Sequence, residues 1–222
     1  VNVDPASFGR GVARRMIEEA CRRADAAGKP LRLVSSAMNL DSYSLYTKAG
    51  FTPRALFQDM VVSVPESGLP GPRPRRIDRV RPARPEDVEA MASLEHRVAG
   101  VRREVDLRHF IENPTGIWRV WVCTDRSGAV SGWIARSAHP ASRIAGPGAM
   151  SCVPGAEALL WTALEASRGT SVLAIVPADR PALVAAVAGW GGRNVELHVS
   201  QVRGQAPAVR GVQIPAFLPE SG

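Results

Sequence analysis

The sequence predicts an α/β protein with a mixed α+β sheet, made of two related domains. Strand-like and helix-like segments alternate along the chain, which is the pattern of that class. The order strand, helix, glycine plus aromatic residue, strand occurs twice, because Gly50-Phe51 is repeated 139 positions later as Gly189-Trp190. Hydrophobic residues make up 45% and charged residues 22% of the 222 positions, so the chain can bury a core.

The first part of the chain contains two helices and two strands. Apolar residues recur at helical spacing after Val12, and Gly28 suits the left-handed position that ends a helix. A short apolar run follows Pro30, and a second helical segment stops at Gly50. The predicted elements are helices over 12–27 and 42–49 and strands over 31–36 and 55–64.

A linker separates this part from the rest. Residues 65–76 contain four prolines and two glycines, which remove backbone donors and disfavour regular structure. Further on, residues 125–128 form a turn cluster between two antiparallel strands, and Gly146-Pro147-Gly148 is predicted to be another turn. The predicted elements are strands from Val80 and over 118–124, 130–136, 172–176 and 195–202, and helices over 85–97, 156–167 and 182–188.

The repeat also predicts domain boundaries. Residues 1–64 would be the C-terminal half of a first domain, 65–76 the linker and 77–222 a second domain. If both copies start at equivalent points, roughly sixty residues of the first copy precede Val1, and without them this domain lacks its N-terminal half. We expect a chain that starts at Val1 to leave a sheet edge open, and therefore to aggregate or to pair with another chain as a homodimer.

Composition excludes several classes of function. No run of eighteen apolar residues is available to span a membrane. The net charge is +7, but every basic residue except Lys29 and Lys48 is an arginine, and the arginines are dispersed, which favours GC-rich coding over nucleic-acid binding. The three cysteines and four histidines show neither disulfide nor metal-ligand spacing, so we expect a reducing, cytoplasmic location and no metal.

A loop of small residues before the first helix is the first candidate site. Gly9, Gly11 and Ala13 lead directly into that helix, so backbone N–H groups and the positive end of the helix dipole are open to an anion. A plain strand-to-helix turn explains the same residues equally well. Arg14 stands at the third small position of GxGxxG, which disfavours a dinucleotide-binding fingerprint.

A second constellation lies at residues 39–51, where Tyr46 follows Asn39 by seven positions. It matches nearly every defined position of Asn-x-x-Ala/Ser-x-x-Leu-Tyr-x-Lys-x-Gly-Phe. Gly11 and Ala13 match the end of Gln/Arg-x-x-Gly-x-Gly/Ala, although Phe8 replaces the Gln or Arg. Together the two segments resemble the GNAT superfamily of acyl-CoA-dependent N-acyltransferases.

The resemblance implies a site for acetyl-CoA and no metal. Residues 9–13 would hold the pyrophosphate, the strand at Val3 would pair with pantetheine, and Asn39 would contact the pantetheine arm. Tyr46 would be the general acid that protonates the departing thiolate, since a phenol with a pKa of about 10 can return a proton to basic sulfur. The residues assigned to the cosubstrate are Val1, Val3, Phe8, Gly9, Arg10, Gly11, Val12, Ala13, Asn39 and Ser42.

Other residues near these motifs have simpler interpretations. The alternative for Tyr46 is a half-buried packing tyrosine, which is the role expected for Tyr43. The general base is expected upstream of Val1. The acidic residues expected to be helix caps or surface groups are Asp4, Glu18, Glu19 and Asp41.

The second copy keeps the pattern of elements and loses the polar motif, so we expect a degenerate, noncatalytic domain. Its residues at the positions of Gly11, Asn39, Ser42 and Tyr46 are Met150, Ala178, Pro181 and Ala185.

The sequence therefore predicts an N-acetyltransferase that moves an acetyl group from acetyl-CoA to an amine on a small molecule or peptide. Neither a membrane nor a nucleic acid is expected as a partner. The alternative is an acyl-CoA-binding regulatory pseudoenzyme without turnover, which Phe8 and the missing half-domain favour.

Overall fold

A computed structural model describes residues 3–216 of the chain. These residues contain six α-helices and nine strands, so the prediction of a mixed α/β fold is confirmed. The helices are α1 (Val12–Ala26), α2 (Leu40–Lys48), α3 (Val88–Ala99), α4 (Glu104–Glu112), α5 (Val153–Glu165) and α6 (Pro181–Gly189). The strands are β1 (Leu31–Ser36), β2 (Thr52–Ser63), β3 (Val80–Pro82), β4 (Trp118–Thr124), β5 (Val130–His139), β6 (Ser142–Met150), β7 (Ser171–Pro177), β8 (Arg193–Arg203) and β9 (Val212–Ile214).

The chain divides into two compact units. The smaller unit comprises Val1–Leu56 and Leu197–Ala206, and the larger comprises Phe57–Glu196 and Pro207–Gly222. The division falls within β2 and β8. The boundaries predicted from the repeat, at 64 and 77, remain a prediction, although residues 65–76 contain neither helix nor strand.

In the smaller unit, α1 and α2 share a hydrophobic cluster with β1. Ile17 and Cys21 lie one turn apart on α1 and are buried, because the apolar residues of that helix recur at helical spacing. They pack with Tyr46 of α2 and with Phe51, and Leu31 and Leu33 of β1 lie against the same cluster. The helix ends where Gly28 takes a φ of +62°, as its sequence position predicts. β1 pairs antiparallel with the last part of β8, from Leu31 opposite Arg203 to Ser36 opposite His198.

In the larger unit, the strands follow the order β2, β7, β6, β5, β4, β3. The β6–β7 pair is parallel and the other neighbours are antiparallel, with β9 added to β6. Successive side chains on a strand point to opposite faces. On β4, Trp121 and Cys123 therefore pack with α5, while Val120 and Val122 pack with α3 and α4. Burial of each large side chain contributes about 1.5–3 kcal/mol.

The prediction of a turn at Gly146-Pro147-Gly148 is wrong, because these residues lie within β6. One residue of β5, Ala135, faces two residues of β6 there, since Ile134 pairs with Gly148 and Arg136 with Ala145. This is a β-bulge, where a strand accommodates proline and glycine. A Cβ on Gly148 would lie 2.8 Å from the carbonyl oxygen of Trp133, so close approach of two backbones requires the glycine.

The remaining differences lie at element ends and in unpredicted elements. α2 begins two residues earlier than predicted, because Asn39 caps it. α4, β6 and β9 have no counterpart among the predicted helices and strands. In the described part of the chain, none of the helices has the length and apolarity needed to cross a membrane.

Candidate functional site

The loop that precedes α1 is shaped by a short turn and two left-handed glycines. The Asp4 carboxylate accepts a hydrogen bond from the Ala6 amide at 2.8 Å and caps a 3₁₀ turn over Pro5–Ser7. Gly9 and Gly11 both have a φ of +74°, a conformation that other L-residues adopt only at a cost. Gly11 is the N-cap residue of α1, and no side chain caps the helix.

Consecutive backbone donors are left open by this loop. Among residues 3–216, no acceptor receives a hydrogen bond from the amides of residues 9–14. A Cβ on Gly9 would meet nothing within 4 Å, and one on Gly11 would meet only the guanidinium of Arg14 at 3.5 Å. The space that a side chain would occupy at these two positions is therefore open. Free N–H groups at a helix N-terminus, together with its dipole, attract an anion.

The charges around the loop have the sign that an anion needs. The first turn of α1 contains no acidic residue. Arg10 is exposed, and its carbonyl oxygen accepts a hydrogen bond from Arg15 at 3.2 Å. Arg14 forms an exposed pair with Glu18 at 3.8 Å, which screens only part of its charge.

Asn39 has a structural role at the start of α2. Its Oδ1 accepts a hydrogen bond from the Ser42 amide at 3.0 Å, which satisfies one of the open donors of the first turn. Its amide nitrogen has no partner in the described part of the chain, and the residue is exposed. Asn39 therefore caps the helix with one atom and offers a donor with another.

Tyr46 combines a packed ring with an accessible hydroxyl. Only 7% of the residue is exposed, and its ring meets that of Phe51 edge to face, with 6.0 Å between centroids. Within residues 3–216 its hydroxyl has no hydrogen-bond partner, yet it is not among the buried atoms that lack one. The hydroxyl therefore reaches the surface while packing fixes the ring. Tyr46 lies two helical turns from Asn39, about 10 Å along the helix axis.

The acidic residues near the motifs act as caps and ion-pair partners. Hydrogen bonds from Arg22 and Arg23 lower the pKa of Glu19 to about 2, so this carboxylate is a weak base. Glu18 forms an ion pair with Arg14, and Asp4 caps the turn before the loop.

The predicted cosubstrate residues lie in the segment before the loop, in the loop itself and in α2. Val1 lies outside the described residues, and Val3 is half-buried just before the capped turn. Phe8, which stands where a basic residue or glutamine is expected, is 67% exposed and carries no hydrogen-bonding group in its side chain. The loop residues and α2 residues belong to the smaller unit, in which α1 and α2 pack on one cluster.

One backbone N–H donor, that of Arg14, was not predicted from the sequence. The open amides continue to Arg14, one residue past the predicted loop, because the third residue of a helix also lacks an intrahelical acceptor. The general rule for helix ends is the signal that could have identified it.

The chain before α5 is arranged differently from this loop, although the amides of Cys152, Val153 and Gly155 also donate to no described group. Met150, which follows Gly11 by 139 residues, lies two residues before the N-cap Cys152, is fully buried and pairs with Val212 of β9. The next amide, that of Ser151, donates to the Ser131 carbonyl at 2.9 Å. Pro154 in the first turn has no N–H to offer.

A cavity of about 410 Å³ lies in the larger unit. It is lined by Leu94, Arg97, Val98, Asp125, Val130, Ser131, Ser151 and Arg210, none of which is a predicted site residue.

Comparison with known proteins identifies the fold. No protein-family model matches the chain, and no curated protein matches it. Among solved structures, a candidate acetyltransferase from Pyrococcus horikoshii superposes with a TM-score of 0.70 at 13% identity, over 99% of this chain and 69% of that one. A GCN5-related N-acetyltransferase from Sphaerobacter thermophilus matches with a TM-score of 0.58 at 16% identity, over 93% of this chain and 72% of that one.

A tandem GNAT protein from the clavulanic acid biosynthesis pathway is similar to the same extent. Its TM-score is 0.58 at 17% identity, over 93% of this chain and 74% of that one. The chain therefore has the fold of the GNAT acyl-CoA N-acyltransferases, as the motif resemblance predicted.

Proposed function

We propose that this protein is an acyl-CoA-dependent N-acyltransferase that uses acetyl-CoA as the donor and an amine of a small molecule or peptide as the acceptor. The observation that carries the proposal is the run of open amides at residues 9–14, at the N-terminus of a helix with no acidic residue in its first turn. The GNAT fold and the accessible hydroxyl of Tyr46 support it.

The amides of Gly9, Gly11 and Ala13 would bind the pyrophosphate of acetyl-CoA. Each N–H would donate a charge-assisted hydrogen bond to a phosphate oxygen, and the helix dipole would add to the attraction. The basic side chains of Arg10 and Arg14 lie close in sequence and would raise the local concentration of the anion. This binding mode does not need the basic side chain that Phe8 replaces.

The α2 residues would hold the rest of the cosubstrate. The amide nitrogen of Asn39 would donate to the pantetheine arm while its Oδ1 continues to cap the helix. Ser42 lies in the first turn of the same helix, and the residue is half-exposed.

Tyr46 would act when the carbon–sulfur bond breaks. The acceptor amine attacks the thioester carbonyl, a carbon–nitrogen bond forms, and the bond to sulfur is lost with its electron pair. Tyr46 donates its phenolic proton to that sulfur. The proton released by the amine nitrogen passes through water to the Tyr46 phenolate and restores the phenol. Because packing against Phe51 orients the ring, the hydroxyl needs no rearrangement.

The larger unit would contain the degenerate, noncatalytic copy of the same fold. The burial of Met150, the hydrogen bond of the Ser151 amide and the missing N–H of Pro154 support this assignment. The division of the chain at residues 65–76 is part of the same proposal.

An acyl-CoA-binding regulator without turnover is the second candidate. The exposed Phe8 favours it, because a side-chain contact to the pyrophosphate is absent. Both candidates predict binding, and only the enzyme predicts chemistry.

The test has two parts, both on the full chain. Isothermal titration with acetyl-CoA measures binding, and release of free coenzyme A in the presence of a panel of amines measures turnover. Saturable binding with amine-dependent release supports the enzyme. Binding without release for any amine supports the regulator, and no binding contradicts both.

A further inference from the structure

Three arginines lie on one face of the sheet in the larger unit. Arg119 of β4 is directly opposite Arg136 of β5, and Arg143 of β6 is opposite Ala138, two residues beyond Arg136. Side chains directly opposite on antiparallel strands have Cβ atoms about 4.5–5.5 Å apart, and diagonal neighbours are about 7–8 Å apart. Three long cationic side chains are therefore within reach of one another.

Their shared face is the one that packs against α5. Trp121, two residues along β4 from Arg119, and Ile134, two residues along β5 from Arg136, both belong to the cluster that includes α5. Ala145, two residues from Arg143, is in the same cluster. The extra residue of the bulge lies beyond Ala145 on β6, so it leaves this alternation intact.

Arg136 is a buried cation. Only 7% of the residue is exposed, and its Nε donates a hydrogen bond to the Ser167 hydroxyl at 2.7 Å. Its two terminal nitrogens donate to no group within residues 3–216, and neither is among the buried atoms that lack a partner. Both terminal nitrogens therefore keep some exposure to solvent and have donors to offer.

The positive charge at this place is uncompensated. Burial lowers the pKa of Arg136, and the charges of Arg119 and Arg143 lower it further. None of the three guanidinium groups forms an ion pair with a described residue. The guanidinium of Arg103, which is also largely buried in this unit, is instead compensated by the carboxylate of Glu95 at 3.0 Å.

We propose that Arg119, Arg136 and Arg143 form a binding site for a phosphate group. A buried guanidinium without a counter-charge is unfavourable, and two further arginines increase the repulsion until an anion is bound. Phosphate carries up to two negative charges and several acceptor oxygens, which suits donors that converge from three strands. The site is in the larger unit and does not depend on the function proposed for the smaller one.

The test uses the full chain and two probes at constant ionic strength. Inorganic phosphate and glycerol 3-phosphate are titrated calorimetrically, with chloride as the balancing anion. The tested variants are Arg119→Ala and Arg143→Ala, and the matched control is Arg126→Ala, an exposed arginine in the β4–β5 turn. A further control is Gly11→Glu, which blocks the loop of the smaller unit.

We expect saturable phosphate binding in the native chain, in Arg126→Ala and in Gly11→Glu. Arg119→Ala and Arg143→Ala should each weaken it about tenfold, the effect of one lost charged hydrogen bond. Tighter binding of glycerol 3-phosphate than of phosphate would identify a phosphate ester as the ligand, and the reverse would identify the free anion.

Arg136→Met tests whether a loss of phosphate binding could result from a loss of folding. It should abolish phosphate binding while its melting temperature in phosphate-free buffer equals or exceeds that of the native chain, because an uncompensated buried charge is removed. Phosphate binding that is absent from the native chain, unchanged in Arg119→Ala, or lost in Gly11→Glu would overturn the proposal.

Discussion

The N-termini of α1 and α5 lie 141 residues apart, at Val12 and Val153, and differ in how the chain approaches each helix. Before α1, the amides of residues 9–14 donate to no described group, and two glycines at φ +74° hold the loop open. Before α5, the Ser151 amide is bonded to Ser131, Met150 is buried, and Pro154 has no N–H. The amides of Cys152, Val153 and Gly155 also donate to no described group, so the two helix starts differ in the left-handed glycines, the buried Met150 and the missing N–H of Pro154.

The largest effect is expected from a negative charge placed in the open loop. Gly11→Glu should abolish acetyl-CoA binding, a loss of about 100-fold or more, because a carboxylate would repel the pyrophosphate. Ser151→Glu, just before α5, should leave the affinity unchanged. Isothermal titration measures both.

The control for backbone strain is Gly28→Glu. Gly28 also has a positive φ, of +62°, and nothing lies within 4 Å of a Cβ there, but it is at the other end of α1. Equal losses in Gly11→Glu and Gly28→Glu would mean that strain, not charge, removes binding.

The next largest effect concerns the proton donor. Tyr46→Phe should lower kcat about 10²- to 10⁴-fold, with little change in the affinity for acetyl-CoA, because the hydroxyl is needed only when sulfur leaves. The matched control, Tyr43→Phe on the same helix, should retain full activity. Steady-state kinetics with titration of acetyl-CoA would contradict the assignment if kcat were the same in Tyr46→Phe and the native chain.

A third and smaller effect separates the two roles of Asn39. Asn39→Ala should lower the free energy of unfolding by about 0.5–2 kcal/mol through loss of the cap. It should also weaken acetyl-CoA binding about tenfold through loss of a donor. Asn39→Asp keeps the cap and removes the donor, so it should restore stability and not affinity. Denaturant melts and calorimetry decide, and full affinity in Asn39→Asp would exclude contact with pantetheine.

The smallest effect on the proposed activity is expected at the start of α3, where a carboxylate of the protein itself occupies the helix N-terminus and only stability should change. Asp87, at the start of α3, forms two 2.7 Å hydrogen bonds with Arg81 and accepts one from the Arg84 amide. Arg81 is the main cause of the lowered pKa of Asp87, and the Arg84 amide adds to it. The resulting stabilisation is complete above the carboxyl group's ordinary pKa and is lost as the pH falls below it.

Asp87→Asn should therefore lower the free energy of unfolding by about 1–2 kcal/mol at neutral pH and flatten its fall with acid. Denaturant unfolding between neutral and acidic pH measures both quantities. An unchanged pH dependence would show that Asp87 contributes little.

Local patterns predicted much of the fold. The bounds of β1 and β4 match the predicted strands, because short apolar runs between turn residues are unambiguous. β6 was missed because Gly146 and Pro147, which indicate a turn, instead occupy a bulge opposite β5. No local pattern contains that information.

The same limit applies to the sites. The residues of the loop and of α2 could be proposed from spacing, but the open amides depend on two backbone angles that the sequence does not state. The cluster of Arg119, Arg136 and Arg143 depends on strand register over three strands, so these residues look unrelated along the chain.

The left-handed conformation of Gly9 and Gly11 has a consequence for mutational tolerance. Any side chain at either position is strained by about 1–2 kcal/mol before a ligand is considered, so a survey of substitutions would find both positions intolerant even in a protein that binds nothing. Arg10 lies between them, exposed and without this constraint. The pattern of tolerance at Arg10, and not that at its two neighbours, is therefore the one that reports selection for an anion.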